Sequence, residues 1–334
     1  MQAALSKILN AIFEADFLDC SFGFRPNRGC HDALKILSHI VEKKKISYIV
    51  DADIKGFFNH VDHRWLLKFI RHRVIDPNIL RLIARFLQAG VLEDGEILNT
   101  PEGTPQGGVV SPVLANIYLH YTLDLWFEKA VRKQCRGEAY MVRYCDDFVC
   151  CFQYKADAEK FYLALIQRLE KFNLEMAKDK TKIIEFGRYA QTQYQKSGKP
   201  KPDTFDFLGF THYCSKSSKG HFRVKRKTSQ KKFKASLLRC KEWVKQRRNW
   251  PIHDLMDGMK AKLIGYYRYY GITDNSTMLN KFLFETSKIL FKGLNRRSQR
   301  KSFNWYKFNL YLKQYPLPKP RIYVNIYDLR IGFG

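Results

Sequence analysis

Three aspartates stand where a carboxylate is costly. Asp53 closes an apolar, β-branched run, Ile46-Ser47-Tyr48-Ile49-Val50, that continues through Asp51-Ala52. Asp146 and Asp147 lie side by side between two apolar arms, Tyr140-Met141-Val142-Arg143-Tyr144 and Phe148-Val149-Cys150-Cys151-Phe152. A desolvated carboxylate costs free energy unless it is paired or binds a cation. Adjacent like charges repel by about 4 kcal/mol at 4 Å for an effective dielectric of ~20. If the strand ending at Asp53 lies beside the 140–152 hairpin, three carboxylates converge on a hard-oxygen site of the kind that takes Mg²⁺ together with substrate phosphates. Two such ions about 3.5–4 Å apart activate a hydroxyl and stabilise a leaving pyrophosphate. On residue pattern alone, a solvated and capped Asp-Asp turn explains residues 146–147 as well.

The elements that must position these residues are legible at coarse grain. Helical periodicity covers 2–15 and 30–44, then 63–73 and 77–89, with Pro77 suited to a helix start. VLEDGEIL carries an Asp-Gly turn between short apolar arms, a hairpin signal. The glycine- and proline-rich stretch 103–112 reads as loop and feeds a long helix over 112–134. After the 140–152 hairpin come a helix near 155–172 and a short strand near 182–186. The polar stretch 188–203 reads as a linker. Beyond the apolar segment Phe205–Phe210 the chain turns helical and basic to about 295. Strands mixed with helices, then helices alone, predict an α+β domain followed by an all-α domain.

Charge divides the chain in the same way. Its 334 residues carry 59 Lys and Arg against 32 Asp and Glu, a formal charge of +27. Residues 1–187 hold 26 against 24, and residues 188–334 hold 33 against 8. The first half can keep carboxylates for chemistry, and the second reads as a surface for a polyanion, since repulsion on that scale is tolerated when phosphates neutralise it. Aromatic residues at 15% exclude wholesale disorder. Eight cysteines without a CxxC pair fit neither a zinc site nor a disulfide framework and point to a reducing compartment. The absence of a long apolar run and of a signal-peptide layout predicts a cytoplasmic protein with no membrane partner, associated with the nucleoid or a ribonucleoprotein.

At this point a family resemblance enters. Tyr144-Cys145-Asp146-Asp147 resembles the Y-x-D-D box of reverse transcriptases, and companion motifs follow in order. Phe22-Gly23-Phe24-Arg25-Pro26-Asn27-Arg28-Gly29 with His31-Asp32-Ala33-Leu34 resembles the segment before the palm in group II intron reverse transcriptases. Asp51 to Asn59, with Val61-Asp62-His63, resembles their first metal-binding motif. Gly103-Thr104-Pro105-Gln106-Gly107-Gly108 with Ser111-Pro112 resembles their template- and nucleotide-positioning motif. Lys178-Asp179-Lys180-Thr181-Lys182 and Phe207-Leu208-Gly209-Phe210 resemble two later palm motifs. Trp243, Leu263-Ile264-Gly265-Tyr266-Tyr267 and Tyr269-Tyr270 resemble the thumb or maturase domain. The resemblance implies a right-hand polymerase: partial fingers over 1–45, a palm over 46–214 and a helical thumb over 215–334.

It also implies roles. Asp53, Asp146 and Asp147, with the Ile54 carbonyl, would hold two Mg²⁺ ions, with Mn²⁺ as a substitute. Phe58 matches the bulky gate that selects deoxynucleotides (dNTPs), although without the family it reads as a core aromatic. Gln106 and Gly107 would contact the incoming nucleotide. Lys180 would be the general acid for pyrophosphate, with Lys182 as a substitute. Tyr144 would lie at the primer end, while Arg143, Asp51 and Asp62 are read as structural. Lys225, Arg226, Lys227, Lys231, Lys232, Arg247, Arg248, Arg296, Arg297, Arg300 and Lys301 would line the RNA template–DNA primer duplex or an intron RNA. Tyr266, Tyr267, Tyr269 and Tyr270 are read as helix core ahead of stacking platforms.

Two departures from the family pattern shape the expectation. Met1 falls where relatives are already within the fingers, so Arg25 and Arg28, or a separate polypeptide, are expected to supply the missing basic contacts to the nucleotide. No Cys/His cluster follows the thumb, so the zinc-dependent endonuclease of some relatives is not expected. The function implied is an RNA-directed DNA polymerase. A maturase that assists intron RNA folding and splicing, and a domesticated defence or repair enzyme, are the alternatives.

Overall fold

The computed structural model describes residues 1–88, 108–190, 194, 201–297 and 303–328, together with the backbone of 91–93 and 96–98. The chain forms two compact units. The first holds residues 1–208 and 214–224, and the second holds 209–213 and 225–328 among the described residues. Residues 1–45 therefore share one unit with the sheet. The chain passes between the units at 208/209, at 213/214 inside strand β8 (Phe210–Lys216) and at 224/225 inside strand β9 (Phe222–Thr228).

The first unit opens with α1 (Gln2–Phe13) and α2 (Cys30–Lys43). Asp32 starts α2 by accepting from the Gly29 amide at 2.8 Å, half of a capping box. Then come β1 (Tyr48–Ala52), α3 (His63–Ile70) and α4 (Pro77–Gln88). The Asp62 carboxylate caps α3, accepting from the amides of Arg64 and Trp65 at 2.8 and 3.0 Å. The backbone of β2 (Val91–Glu93) and β3 (Glu96–Leu98) pairs as the Asp-Gly pattern predicts; the turn itself, 94–95, lies outside the described residues. Helix α5 (Ser111–Leu119) begins one residue before Pro112, which takes a first-turn position. It runs on to Gln134 through two π-helical stretches, His120–Asp124 and Phe127–Val131.

The core of this unit is a four-stranded antiparallel sheet. Its strands are β1, β4 (Ala139–Tyr144), β5 (Asp147–Phe152) and β6 (Lys182–Glu185), in the order β4-β5-β1-β6. Helix α6 (Lys155–Glu170) packs against β1 and β5. Phe127, Phe152 and Phe161 interlock there with ring centroids 5.2 to 6.2 Å apart. Tyr118 is buried among Phe57 and Phe69 and donates its hydroxyl to the Phe172 carbonyl at 2.6 Å. Burying each such ring contributes about 1.5–3 kcal/mol. Strand β7 (Phe205–Phe207) closes this stretch of chain. Of the expected linker, residues 191–193 and 195–200 lie outside the described residues.

The second unit is mainly helical: α7 (Gln230–Gln246), α8 (Ile252–Tyr270), α9 (Ser276–Asn295) and α10 (Trp305–Gln314). Helices α7 and α9 meet at Gly293, where a Cβ would fall 2.3 Å from Val244 Cγ1, so glycine permits the close approach. Tyr266, Tyr267 and Tyr270 are buried, and Tyr266 stacks on Phe282 with centroids 3.6 Å apart. These tyrosines are core. Among the described residues no helix is long and apolar enough to cross a membrane.

Candidate active site

The β4–β5 hairpin turns through two residues, Cys145 and Asp146, with Tyr144 and Asp147 as the closing pair. Cys145 has φ +60°, the positive value that a primed hairpin turn demands and that glycine usually supplies. The conformation is held from below by Arg143, which is fully buried. Its guanidinium forks onto Asp124 at 2.7 and 2.6 Å, and also reaches the Cys145 carbonyl (2.8 Å), Asn116 Oδ1 (3.1 Å) and Ser21 Oγ (2.8 Å). Burial alone would lower the guanidinium pKa, but the Asp124 carboxylate outweighs it and raises it. The backbone of Arg143 is pinned too: its amide donates to the Cys20 carbonyl at 2.7 Å, and its carbonyl accepts from the Phe22 amide at 2.9 Å.

Asp53 arrives from β1. The register Asp51↔Val149 and Ala52↔Phe148 ends the pairing of β1 with β5 one residue before Asp53 and one residue after Asp147. On the other side the chain is fastened to 175–181. Ala177 donates its amide to the Asp53 carbonyl (2.9 Å), and Lys55 donates to the Glu175 carbonyl (2.8 Å). These two bonds flank the bridge between Ile54 and Met176. Ile54 is thus a non-hydrogen-bonded pair member, so its own amide and carbonyl are not engaged by Met176. The Thr181 hydroxyl accepts from the Asp53 amide at 3.4 Å.

Charge couples the carboxylates. The Asp146 carboxyl is pushed up by burial first, with the Asp53 charge adding to it. Asp51 is pushed up to about 7 by burial, then by Asp147, Asp206 and Asp53, with Lys182 opposing. Asp51 therefore belongs electrically to the set, which its reading as a merely structural residue left out. Lys180 places its ammonium 3.0 Å from Asp53 Oδ2, and that contact raises the lysine pKa. Among the described residues no three His, Cys, Asp or Glu side chains are drawn close enough to hold a metal ion together. The donor set itself fits a hard divalent cation: carboxylate oxygens, with Asp147 exposed, Asp146 partly buried and repelled by Asp53, a cost that such an ion offsets.

Phe57 and Phe58 divide their roles. Gly56, at φ +53°, turns the chain so that Phe57 enters the core while Phe58 is only half-buried at its edge. Gln106 and Gly107 lie outside the described residues. Arg25 is corrected: it does not offer its guanidinium to a nucleotide. Its Nε and Nη2 engage Glu14 at 3.1 and 2.7 Å, its Nη1 the carbonyls of Leu18 and Ser21, and its side chain is 2% exposed. Arg28 pairs with Asp19 at 2.7 Å.

The basic residues of the second unit fall into classes. Arg226 is corrected as well: it is fully buried, its guanidinium over the Tyr327 ring at 5.6 Å, so it cannot line a duplex. The alternation of β9 turns it inward, as it does Val224 and Thr228. Lys225 is half-buried, and Lys231 and Lys232 are exposed on the first turn of α7. Arg247 lies over Trp243 and Trp250 at 5.3 and 5.1 Å, and Arg297 donates to the Arg248 carbonyl. Arg248 and Arg296 open into a groove of about 320 Å³ between α7 and α9, floored by Val244, Ile289 and Gly293. Lys241, Lys245 and Lys292 complete its five cations. Those three were not anticipated, although the spacings 241/245 and 292/296 put each pair on one helical face. Arg300 and Lys301 lie outside the described residues.

Comparison with known proteins gives four findings. The sequence pattern of the family described as reverse transcriptase (RNA-dependent DNA polymerase) matches residues 1–212. The Group II intron-encoded protein LtrA of Lactococcus lactis subsp. cremoris is 46% identical over 120 residues, 36% of this chain and 20% of that protein. Protein YkfC of Escherichia coli K12 is 30% identical across 71% of this chain and 67% of its own length. The chain thus spans about a fifth of the length of the lactococcal relative. Among solved structures, apo telomerase from Candida tropicalis superposes with a TM-score of 0.50 at 14% identity, covering 92% of this chain and 51% of that one, a likeness of fold.

Proposed function

The chain belongs to the reverse transcriptase family and is related to group II intron-encoded proteins, and from that premise we propose that it is an RNA-directed DNA polymerase extending a primer 3′-hydroxyl with dNTPs on an RNA template. The observation that supports this reading is the pairing of β1 with β5, whose last pair is Ala52↔Phe148, one residue before Asp53 and one after Asp147, with Asp146 electrically coupled to Asp53. Asp53, Asp146 and Asp147, with the Ile54 carbonyl, would hold divalent ions, Mg²⁺ first and Mn²⁺ as a substitute. Such ions, when bound, supply charge neutralisation at the reacting phosphate.

The rest is the work of the chain's own residues. The Arg143 hub fixes the hairpin, so the carboxylates are presented without reorganisation. Lys180, at the rim, holds a proton that can pass to the departing pyrophosphate. Phe58, at the edge of the core, is proposed to crowd out a ribose 2′-hydroxyl. Gln106 and Gly107 are proposed to contact the nucleotide. Lys225, Lys231, Lys232, Arg247, Arg248, Arg296 and Arg297 are proposed to bind the nucleic-acid backbone, which an A-form hybrid presents by shape.

A second reading, RNA binding in support of intron folding, is favoured by the five-cation groove between α7 and α9. Primer extension on RNA and DNA templates, with Mg²⁺ titrated and chelated, tests the first. The paired substitutions Asp146→Ala and Asp147→Ala should abolish extension and leave RNA binding in place. Undiminished extension would refute the site.

A further inference from the structure

Phe24 occupies a backbone conformation that its side chain disfavours. Its φ is +55°, the left-handed region that a bulky L-residue enters only when its surroundings force it. Its ring is 55% exposed, so burial of apolar surface does not compensate. Both neighbours are clamped. Gly23 lies so near the hairpin that a Cβ would sit 2.5 Å from the Cys145 nitrogen, and Asn116 Nδ2 donates to the Gly23 carbonyl at 2.6 Å. Arg25 is locked to Glu14 and to the Leu18 and Ser21 carbonyls. Between these two fixed points the chain turns outward and carries the Phe24 ring to 6.3 Å from the Tyr144 ring, inclined at 44°. Tyr144 is half-buried and immediately precedes the turn that bears Asp146. Two aromatic rings are thereby offered beside the carboxylates, one of them held out at a cost in strain.

We propose that Phe24 and Tyr144 form a stacking platform for a nucleobase at the growing end of the bound nucleic acid. Every base has a π-face, so such a platform positions the strand without reading sequence, as a polymerase requires. The proposal rests on the polymerase reading above. The base is either the 3′-terminal base of the primer or the template base opposite the incoming nucleotide, and the chemistry of recognition is common to both.

The test uses the full chain with RNA–DNA hybrids carrying 2-aminopurine, a base whose fluorescence stacking quenches, at one or the other of those two positions. Asn tolerates the left-handed conformation, so Phe24→Asn should leave the Tm equal or higher while weakening hybrid affinity about ten-fold. Phe24→Tyr, which keeps a ring, should match wild type. The expected result is a quenched probe in wild type and Phe24→Tyr and a brightened one in Phe24→Asn, at one position only, which identifies the strand. Equal fluorescence in wild type and Phe24→Asn at both positions overturns the proposal, as does a loss of affinity that tracks a fall in Tm. Extension that survives Asp146→Ala with Asp147→Ala sinks the polymerase reading instead. Extension abolished by that pair but unaltered by Phe24→Asn removes the platform alone.

Discussion

Arg143 and Asp124 meet in a two-pronged ion pair with neither side chain exposed, and the same guanidinium holds the carbonyl of the residue that begins the β4–β5 turn. Removing one partner strands a buried charge. Arg143→Met or Asp124→Leu should therefore lower stability by about 3–5 kcal/mol, whereas the double replacement Arg143→Met with Asp124→Leu should recover much of that loss. Denaturant titration of the four proteins measures the cycle.

Asp146 and Asp53 repel across the hairpin tip. Asp146→Asn removes a desolvated charge, so thermal stability should hold or rise while primer extension falls at least about a hundred-fold. Thermal melts beside extension rates check that the two properties move in opposite directions. Removing Mg²⁺ with a chelator should stop extension by the wild type just as the substitution does.

Lys180→Gln removes a proton donor at the rim and frees Asp53 of its ammonium. Its kcat should fall about a hundred-fold, with little change in KM for the nucleotide. A dNTP analogue whose pyrophosphate leaving group is more acidic should narrow the gap between mutant and wild type, and an unchanged gap would count against the assignment.

His120 is buried beside Phe17 and Tyr121, with its Nδ1 lacking a hydrogen-bond partner. Burial first, then Arg143 and Arg25, hold its pKa below the usual imidazole value, against the pull of Asp124 and Asp16. The folded state thus resists a proton that the unfolded chain accepts near pH 6.5. Its contribution is present above that pH and is lost as the pH falls below it. His120→Phe should flatten this part of the profile, seen as a shallower fall in Tm between pH 7 and pH 5.

Lys241, Lys245 and Lys292 surround the α7–α9 groove with Arg248 and Arg296. Replacing the three lysines with Gln should reduce the slope of log affinity against log salt by about 2 to 3. Arg226→Gln, at a buried residue, should lower Tm and leave that slope unchanged. Filter binding of RNA across a salt series separates the two.

The strands around the site are legible because their residues alternate or run apolar between turn signals, and Cys145-Asp146 interrupts two apolar arms at the position of the turn. Asp53 is legible as a strand end. The companions of Arg143 are not: Asp124 reaches it from a helix whose π-helical stretch leaves no mark in spacing, and Ser21 approaches from 122 residues away. Arg25 and Arg226 read as surface cations because composition reports charge and not burial. The first is absorbed by an ion pair with Glu14 and the second by the inward face of β9. The charges that act on Asp51, those of Asp147 and Asp206, are not legible because both residues are distant in the chain.

The missing side chain of Gly23 has a consequence for inheritance. Its contact with the Cys145 backbone makes the two segments a matched pair, like two halves of a cast. A chimera that imports residues 139–152 from another polymerase while keeping the local 20–25 would join surfaces shaped for different companions. Transplanting both pieces together would carry the fit across, so the two pieces should be exchanged as one unit although they lie far apart in the chain.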